Sequence, residues 1–336
     1  MNSAEPYRLT EAENRRVFAE HIAPDLLTGQ EPQRQPTTVV LLGQQGAGKT
    51  RISAVIAEQL SGRGGYVDLD SDLYKSYHPA YAELMRLDDQ EMARHIGPDA
   101  RQWTHQARAL AQANRVNILA HDTAGDPEFS AGLLREYRAE GPRRIEVVAL
   151  GVPRALSDQG VLNRYYEQVQ DRGQGRLSVP EKVEAAYSGM MTYADIVDRD
   201  RLADSVTVYR RGESKPRYAN VLTETGEYAH PPHFRTALRE ARNTPLTARD
   251  TLQFLRIQDK LREGLPAFRD QLAVIDQQVA PLLDREAVDQ YSMMRLAARG
   301  FPQSASQATS MQQPEQPQPG HRLAPQEPRR QPEQER

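Results

Sequence analysis

A chain of 336 residues has room for one large α/β domain and an accessory region. Its 43 Lys and Arg nearly balance 46 Asp and Glu, leaving a net charge of −3, which argues against a basic nucleic-acid footprint spread over the surface. The lack of cysteine excludes a disulfide framework, a thiol nucleophile and cysteine metal sites, and it suits a reducing cytoplasm; no apolar run approaches membrane-spanning length.

Leu9–Leu27 carries Val17, Phe18, Ile22 and Leu26 at helical spacing and predicts an amphipathic helix with Thr10 and Glu11 near its start. A polar linker, Gly29–Pro36, comes next. Strands are then predicted over Val39–Leu42, Tyr66–Leu69, Val116–Ala120, Ile145–Leu150 and Ser205–Tyr209, alternating with longer amphipathic stretches. That rhythm implies βαβ units and a mostly parallel, helix-covered sheet, whose ligands sit beyond the carboxyl ends of its strands.

The first strand runs into Gly43, Gln44, Gln45, Gly46, Ala47, Gly48, Lys49 and Thr50, which match G-x-x-x-x-G-K-[ST], a phosphate-binding P-loop in its proper setting. The glycines let backbone N–H groups converge on phosphates, and the helix after them adds its positive dipole end. Lys49 is expected to reach the β- and γ-phosphates of the nucleotide, and Thr50 to bind Mg²⁺. After the second strand, Asp68, Asp70 and Asp72 alternate at a strand end beside the P-loop, placed to hold Mg²⁺ through water or to take a proton from an acceptor hydroxyl; a solvated acidic turn is the alternative. Spacing does not choose among the three.

Asp122, after the third strand, occupies the place of a Walker B carboxylate, and Thr123 can bond a substrate; His121 is either a substrate contact or a structural histidine. Asp126 before Pro127 reads as a helix N-cap. Pro153 opens a helix carrying Arg164 and Tyr165, and a loop with Gly173 and Gly175 leads to Arg176, with Ser178 and Glu181 as a capping box for the next helix. Arg164 and Arg176 suit a lid that neutralises transferring phosphate, though arginine is common here and a solvated surface role is the plainer reading. From Leu261 to Leu282 apolar residues recur at alternating spacings of four and three, interrupted at Gly264 and Pro266, which predicts paired helices that either pack on the core or regulate the site or dock a partner. From Pro302 the composition is dominated by Pro and Gln and predicts a disordered tail.

No Asn-Lys-x-Asp base-recognition motif, kinase His-Arg-Asp loop or zinc pattern is present, so a small-molecule phosphotransferase gains ground. As a set, the leading helix, Gly-Gln-x-Gly-Ala-Gly-Lys-Thr, Asp72-x-x-Lys75-x-x-His78-Pro79, Arg164-Tyr165 and Arg176-x-x-x-Pro180 resemble the zeta toxin family over roughly residues 8–225. The resemblance implies a P-loop kinase that uses ATP and Mg²⁺ to phosphorylate the 3′-hydroxyl of UDP-N-acetylglucosamine, and a helical antitoxin as partner. It further implies Lys49 and Thr50 on ATP and Mg²⁺, Asp72 as base, Arg164 and Arg176 as the phosphate clamp, and Thr123 on the acceptor. Asp70 is the expected second metal contact. Where the family has Glu-Gly-Thr, this chain has His121-Asp122-Thr123, which leaves room for another acceptor: a different sugar nucleotide, a dinucleotide or an antibiotic-like metabolite. A non-catalytic ATP-binding regulatory module is the rival class. The expected organisation is an N-terminal helix and linker (1–36), a P-loop kinase domain (37–230), a helical accessory region (231–300) and the tail (301–336), in a cytoplasmic protein with no nucleic-acid or membrane partner.

Overall fold

The computed structural model describes residues 6–87 and 89–300, so the predicted tail lies outside the described residues. The chain forms two units, Met1–Ser292 and Met293–Arg336, and the first holds the sheet. Six strands, β1 (Thr37–Leu42), β2 (Tyr66–Leu69), β3 (Asn117–Asp122), β4 (Arg144–Gly151), β5 (Ser205–Arg210) and β6 (Tyr218–Val221), are joined in the order β2-β3-β1-β4-β5-β6. The first five strands pair in parallel, and β6 adds antiparallel to β5. Central β1 is buried along its whole length, as a strand covered on both faces must be.

The helices among the described residues are α1 (Glu11–Val17), α2 (Ala23–Leu27), α3 (Thr50–Ser61), α4 (Ser71–Tyr74), α5 (Tyr81–Leu87), α6 (Asp89–Ala113), α7 (Pro127–Ala139), α8 (Arg154–Arg172), α9 (Pro180–Asp200), α10 (Phe234–Asn243), α11 (Ala248–Gly264), α12 (Arg269–Val279) and α13 (Arg285–Gly300). The leading helix is capped by Thr10 with Glu13 in a reciprocal capping box, but it is interrupted by a π turn at Phe18–Ile22 before α2. It is tied to α6 by polar contacts rather than by its apolar face alone. Trp103 Nε1 donates to the Asn14 carbonyl at 2.9 Å, and fully buried Asp99 accepts from the Asn14 side chain at 3.2 Å and the Leu9 N–H at 3.3 Å.

All five predicted strands are observed with ends within two residues of those expected. The third is displaced toward its carboxyl end: β3 begins at Asn117 and continues through His121 and Asp122, which therefore belong to the strand instead of coming after it. Asp126 caps α7 as expected, accepting from Phe129 N–H at 3.0 Å. The Ser178–Glu181 capping box does not form. Pro180 occupies the first turn of α9 and Val179 is its N-cap, with no side-chain cap bond, and Ser178 instead accepts a hydrogen bond from Arg164.

The Leu261–Leu282 seam forms two helices, α11 and α12, broken at Gly264 and Pro266 as the sequence suggests. Leu261, Leu265, Leu272, Ile275 and Val279 close over Ala155 and Leu162 of α8 in a second core. Gln159 of α8 is buried there and donates to the Phe254 carbonyl and the Gln258 side chain, each at 2.9 Å, which satisfies an amide that would otherwise cost about 1–3 kcal/mol.

Candidate active site

The P-loop lies between β1 and α3, with Lys49 as the N-cap and Thr50 as the first residue of the helix. Its backbone is held from two sides. Gly43 N–H donates to the Asp122 carbonyl at 3.1 Å, and Gln44 Nε2 donates to the Val152 carbonyl at 3.0 Å and Ser157 Oγ at 2.8 Å. Gly46, at φ +74°, is pressed against α8: a Cβ there would meet the Ser157 carbonyl at 2.0 Å, and one on Gly160 would meet the Gly46 carbonyl at 2.4 Å. Two glycines from distant segments thus bring backbone onto backbone, an approach no side chain permits.

A cleft of about 1220 Å³ opens over the loop. Gln44 to Thr50, Asp68, Asp70, Asp72, His121, Thr123, Arg164 and Arg176 all line it, so residues spread over more than 130 positions converge on one place. Gly43 and Asp122 stand behind that wall. Asp122 lines an adjoining cavity of about 260 Å³, which shares Asp70, Ser71, Arg101 and His121 with the cleft.

Lys49 Nζ donates to the Gly43 carbonyl at 2.6 Å, folded back on its own loop. Burial pulls its ammonium down to about 8, against the opposing pull of Asp122 and Asp70. A phosphate chain would supply the negative charge this cation lacks. Asp122 accepts the N–H groups of Thr123 at 2.6 Å and Ala124 at 2.8 Å, which fixes the turn after β3; Ala124 takes a left-handed φ of 51°, a strained setting for a residue with a Cβ.

Asp70 caps α4 by accepting the Asp72 N–H at 2.9 Å, which presents Asp72 at the start of the helix. Two cations meet the Asp72 carboxylate: Lys75, one helical turn on, binds Oδ1, and Arg176 Nη2 lies 3.5 Å from Oδ2. Burial pushes the carboxyl up, but Lys75, Arg176 and Arg164 outweigh it and hold Asp72 below its ordinary value. The segment is anchored behind by His78. Its Nδ1 accepts the Ala80 N–H at 3.1 Å, so the ring proton sits on Nε2, which faces Asp99 at 3.6 Å. His121 Nε2 lies 3.2 Å from the Asp68 carboxylate, so the histidine at the end of β3 already has an acidic partner.

Arg164 on α8 donates to Ser178 Oγ at 3.1 Å, and the Arg176 N–H donates to Gln168 Oε1 at 3.0 Å, so the two lid arginines are stitched to each other's segment. Sequence reasoning gives Lys75 no role and misses Asp99, Arg101 and Arg211, which also border these spaces or their supports. Only the spacing of Lys75 three residues after Asp72 signals its part. The others depend on elements that meet only in three dimensions.

A P-loop at the end of the central strand of a parallel sheet, with acidic residues at the neighbouring strand ends and an arginine-bearing lid, defines a P-loop protein of kinase-like fold. A model of the zeta toxin family matches residues 24–223. The chain is 22% identical over 200 residues to toxin zeta of Enterococcus hirae, an alignment covering 59% of this chain and 68% of that protein. It is 23% identical over 209 residues to toxin PezT of Streptococcus pneumoniae serotype 4, covering 61% and 80%. A chain solved in the structural characterisation of the PezAT chromosomal toxin–antitoxin system of Streptococcus pneumoniae shares the fold, with a TM-score of 0.63 at 17% identity over 77% of this chain and 98% of that one. The chain belongs to the zeta toxin family.

Proposed function

We propose that this protein transfers the γ-phosphate of ATP to an alcohol of a small-molecule acceptor, with the 3′-hydroxyl of UDP-N-acetylglucosamine as the first candidate. The observation that carries the reading is the convergence of Asp72, Arg164 and Arg176 on the mouth of the P-loop. Lys49 and the loop N–H groups hold the β- and γ-phosphates. Asp72, ionised at neutral pH, accepts the hydrogen bond of the acceptor hydroxyl and takes its proton as the new P–O bond forms and the bond from the γ-phosphorus to the β,γ-bridging oxygen breaks, with ADP as leaving group. Its lowered basicity suits a loose transition state, in which the hydroxyl loses its proton late. Arg164 and Arg176 neutralise charge spreading over the transferred group.

Among the described residues no three His, Asp or Glu side chains converge as a self-sufficient metal site. The oxygens of Thr50 and Asp70 in the cleft and of Asp122 beside it suit Mg²⁺, a hard cation that takes most of its remaining ligands from phosphates and water; Thr50 with Asp70 or Asp122 would hold it, and it would screen the triphosphate charge. His121, paired with Asp68, favours a second reading of the acceptor side. An imidazole does not replace a carboxylate that accepts two hydrogen bonds, and in this reading the same kinase serves another sugar nucleotide or a dinucleotide. A helical antitoxin is the proposed partner, and the cytoplasm the proposed compartment; among the described residues no helix is long and apolar enough to cross a membrane.

The test is incubation of the purified chain with Mg·ATP and UDP-N-acetylglucosamine, beside a panel of other sugar nucleotides and dinucleotides, with product mass as readout and Lys49→Ala as blank. A gain of one phosphate on UDP-N-acetylglucosamine supports the first reading. A gain only elsewhere supports the second, and none on any acceptor despite ATP binding favours a non-catalytic module.

A further inference from the structure

Of the cations that line the cleft without a part in the transfer chemistry, Arg211 is the one set against the P-loop backbone. Arg211 comes directly after β5, in the turn that leads to β6, and its side chain reaches back over the P-loop. Its Nε lies 3.2 Å from the point where a Cβ on Gly48 would stand, so the guanidinium lies against the loop backbone one residue before Lys49. Nη1 donates to the Leu156 carbonyl of α8 at 3.3 Å, which aims the side chain. Among the described residues Asp250 is the one acidic group that bears on it, and burial pulls the guanidinium below its ordinary value. A guanidinium has five N–H donors, and one protein carbonyl leaves most of them for a ligand.

The sheet order says which part of a ligand this would be. Asp68, Asp70 and Asp72 lie at or after the end of β2, His121 and Asp122 end β3, the P-loop succeeds β1, and Arg211 succeeds β5. Asp72 and Arg176 therefore fix the reacting end of a nucleotide on the β2 side of the loop. A triphosphate threaded through the loop must leave on the other side, toward β4 and β5, where strands are spaced about 4.8 Å apart and Arg211 lies two strands from β1. Gly48 leaves the space that Arg211 fills, at a φ of +82° that favours glycine.

Building on the kinase reading above, we propose that Arg211 is a nucleotide-binding residue that pairs with the α-phosphate of the donor, a third cation separate from the Arg164–Arg176 clamp. It grips a phosphate that does not change its bonding in the reaction, so its contribution is uniform binding and falls in KM for ATP. Arg164 and Arg176, by contrast, face charge that develops during transfer.

Arg211→Gln and Arg211→Lys are compared with the intact chain by calorimetric titration with ATP, ADP and inorganic tripolyphosphate, and by steady-state kinetics on the acceptor found active; thermal melts confirm folding. Arg211→Gln is expected to weaken all three ligands by about 10- to 100-fold, the scale of a charge-assisted hydrogen bond to phosphate. Its kinetic loss should appear in KM for ATP, with kcat at saturating ATP falling far less than in Arg176→Gln. Arg211→Lys should recover part of the affinity. Three results overturn the assignment: unchanged ATP affinity in Arg211→Gln, a loss for ATP without a loss for tripolyphosphate, which would place the contact on the base, or a fall in kcat as large as that of Arg176→Gln. If the intact chain binds no ATP, the kinase reading itself fails, and this assignment with it.

Discussion

The two halves of the cleft are built in different ways. Its phosphate side is made of backbone: Gln44 to Thr50 wrap one space, fixed by carbonyl and amide contacts to β3 and α8. The other side, which the proposed function gives to the acceptor, adjoins a cavity built of side chains that arrive from α4, α6, β2, β3 and α7, with Asp70, Arg101, His121 and Phe129 around it. A backbone site binds what all nucleotides share, whereas a side-chain site can be rebuilt one residue at a time. The first half holds the P-loop that the family shares; under the proposed kinase reading, the second half is where the acceptor is chosen.

Asp72→Asn gives the sharpest break between the halves. Turnover should fall about 10²- to 10⁴-fold, the usual scale of a general base, while ATP affinity by titration stays within about threefold. A parallel loss of both would mean that the halves are not separable. Gly264→Ala tests what supports the phosphate side from behind. A Cβ there would meet the Tyr166 ring at 2.1 Å, so the change should cost about 1–3 kcal/mol in a denaturant titration and disturb the α8 face that carries Arg164. Wild-type stability would show that α11 can shift freely on α8.

A third test uses protons. Below about pH 8 Lys49 is charged in the free protein, and above it the buried amine is neutral and must take up a proton to meet phosphate. ATP affinity is expected to be flat below that pH and to fall by up to about tenfold per unit above it, with proton uptake seen by calorimetry in buffers of different ionisation heat. The sign for folding is opposite: between about 8 and the ordinary 10.5 the unfolded chain holds more protons, so stability contributed by this group rises with pH. The smallest effect is expected from His121→Gln, less than about tenfold, in KM for the acceptor and not for ATP. A change confined to ATP would move His121 to the other half.

The same division explains what can be read from the sequence. The strand, glycines, Lys49 and Thr50 are contiguous, and their spacing alone gives both the place in the fold and the ligand class. Asp126 is legible for the same reason, since its cap involves residues three apart. The carboxylate at Asp72 can be singled out only through family resemblance, because Asp68, Asp70 and Asp72 are alike until α4 begins and one becomes a helix cap while another faces Lys75. Strand β6 gives no signal of its own, being four residues long with buried Asn220 in its interior, and pairing with β5 supplies what its pattern lacks. Ser178 misleads because local spacing favours a capping box, while Pro180 and the approach of Arg164 decide otherwise. Arg211 leaves no trace in the sequence at all: its meaning rests on Gly48 and Leu156, 163 and 55 positions away.

The close contact between Gly46 and Gly160 limits how this chain can change over evolutionary time. A substitution at 46 is blocked by main-chain atoms of Ser157, and one at 160 by the carbonyl of Gly46, so neither position can vary first and wait for the other to compensate. Positions 46 and 160 are locked as a pair, although 114 residues separate them. The side chains around the adjoining cavity, among them His121 and Arg101, are under no such backbone lock.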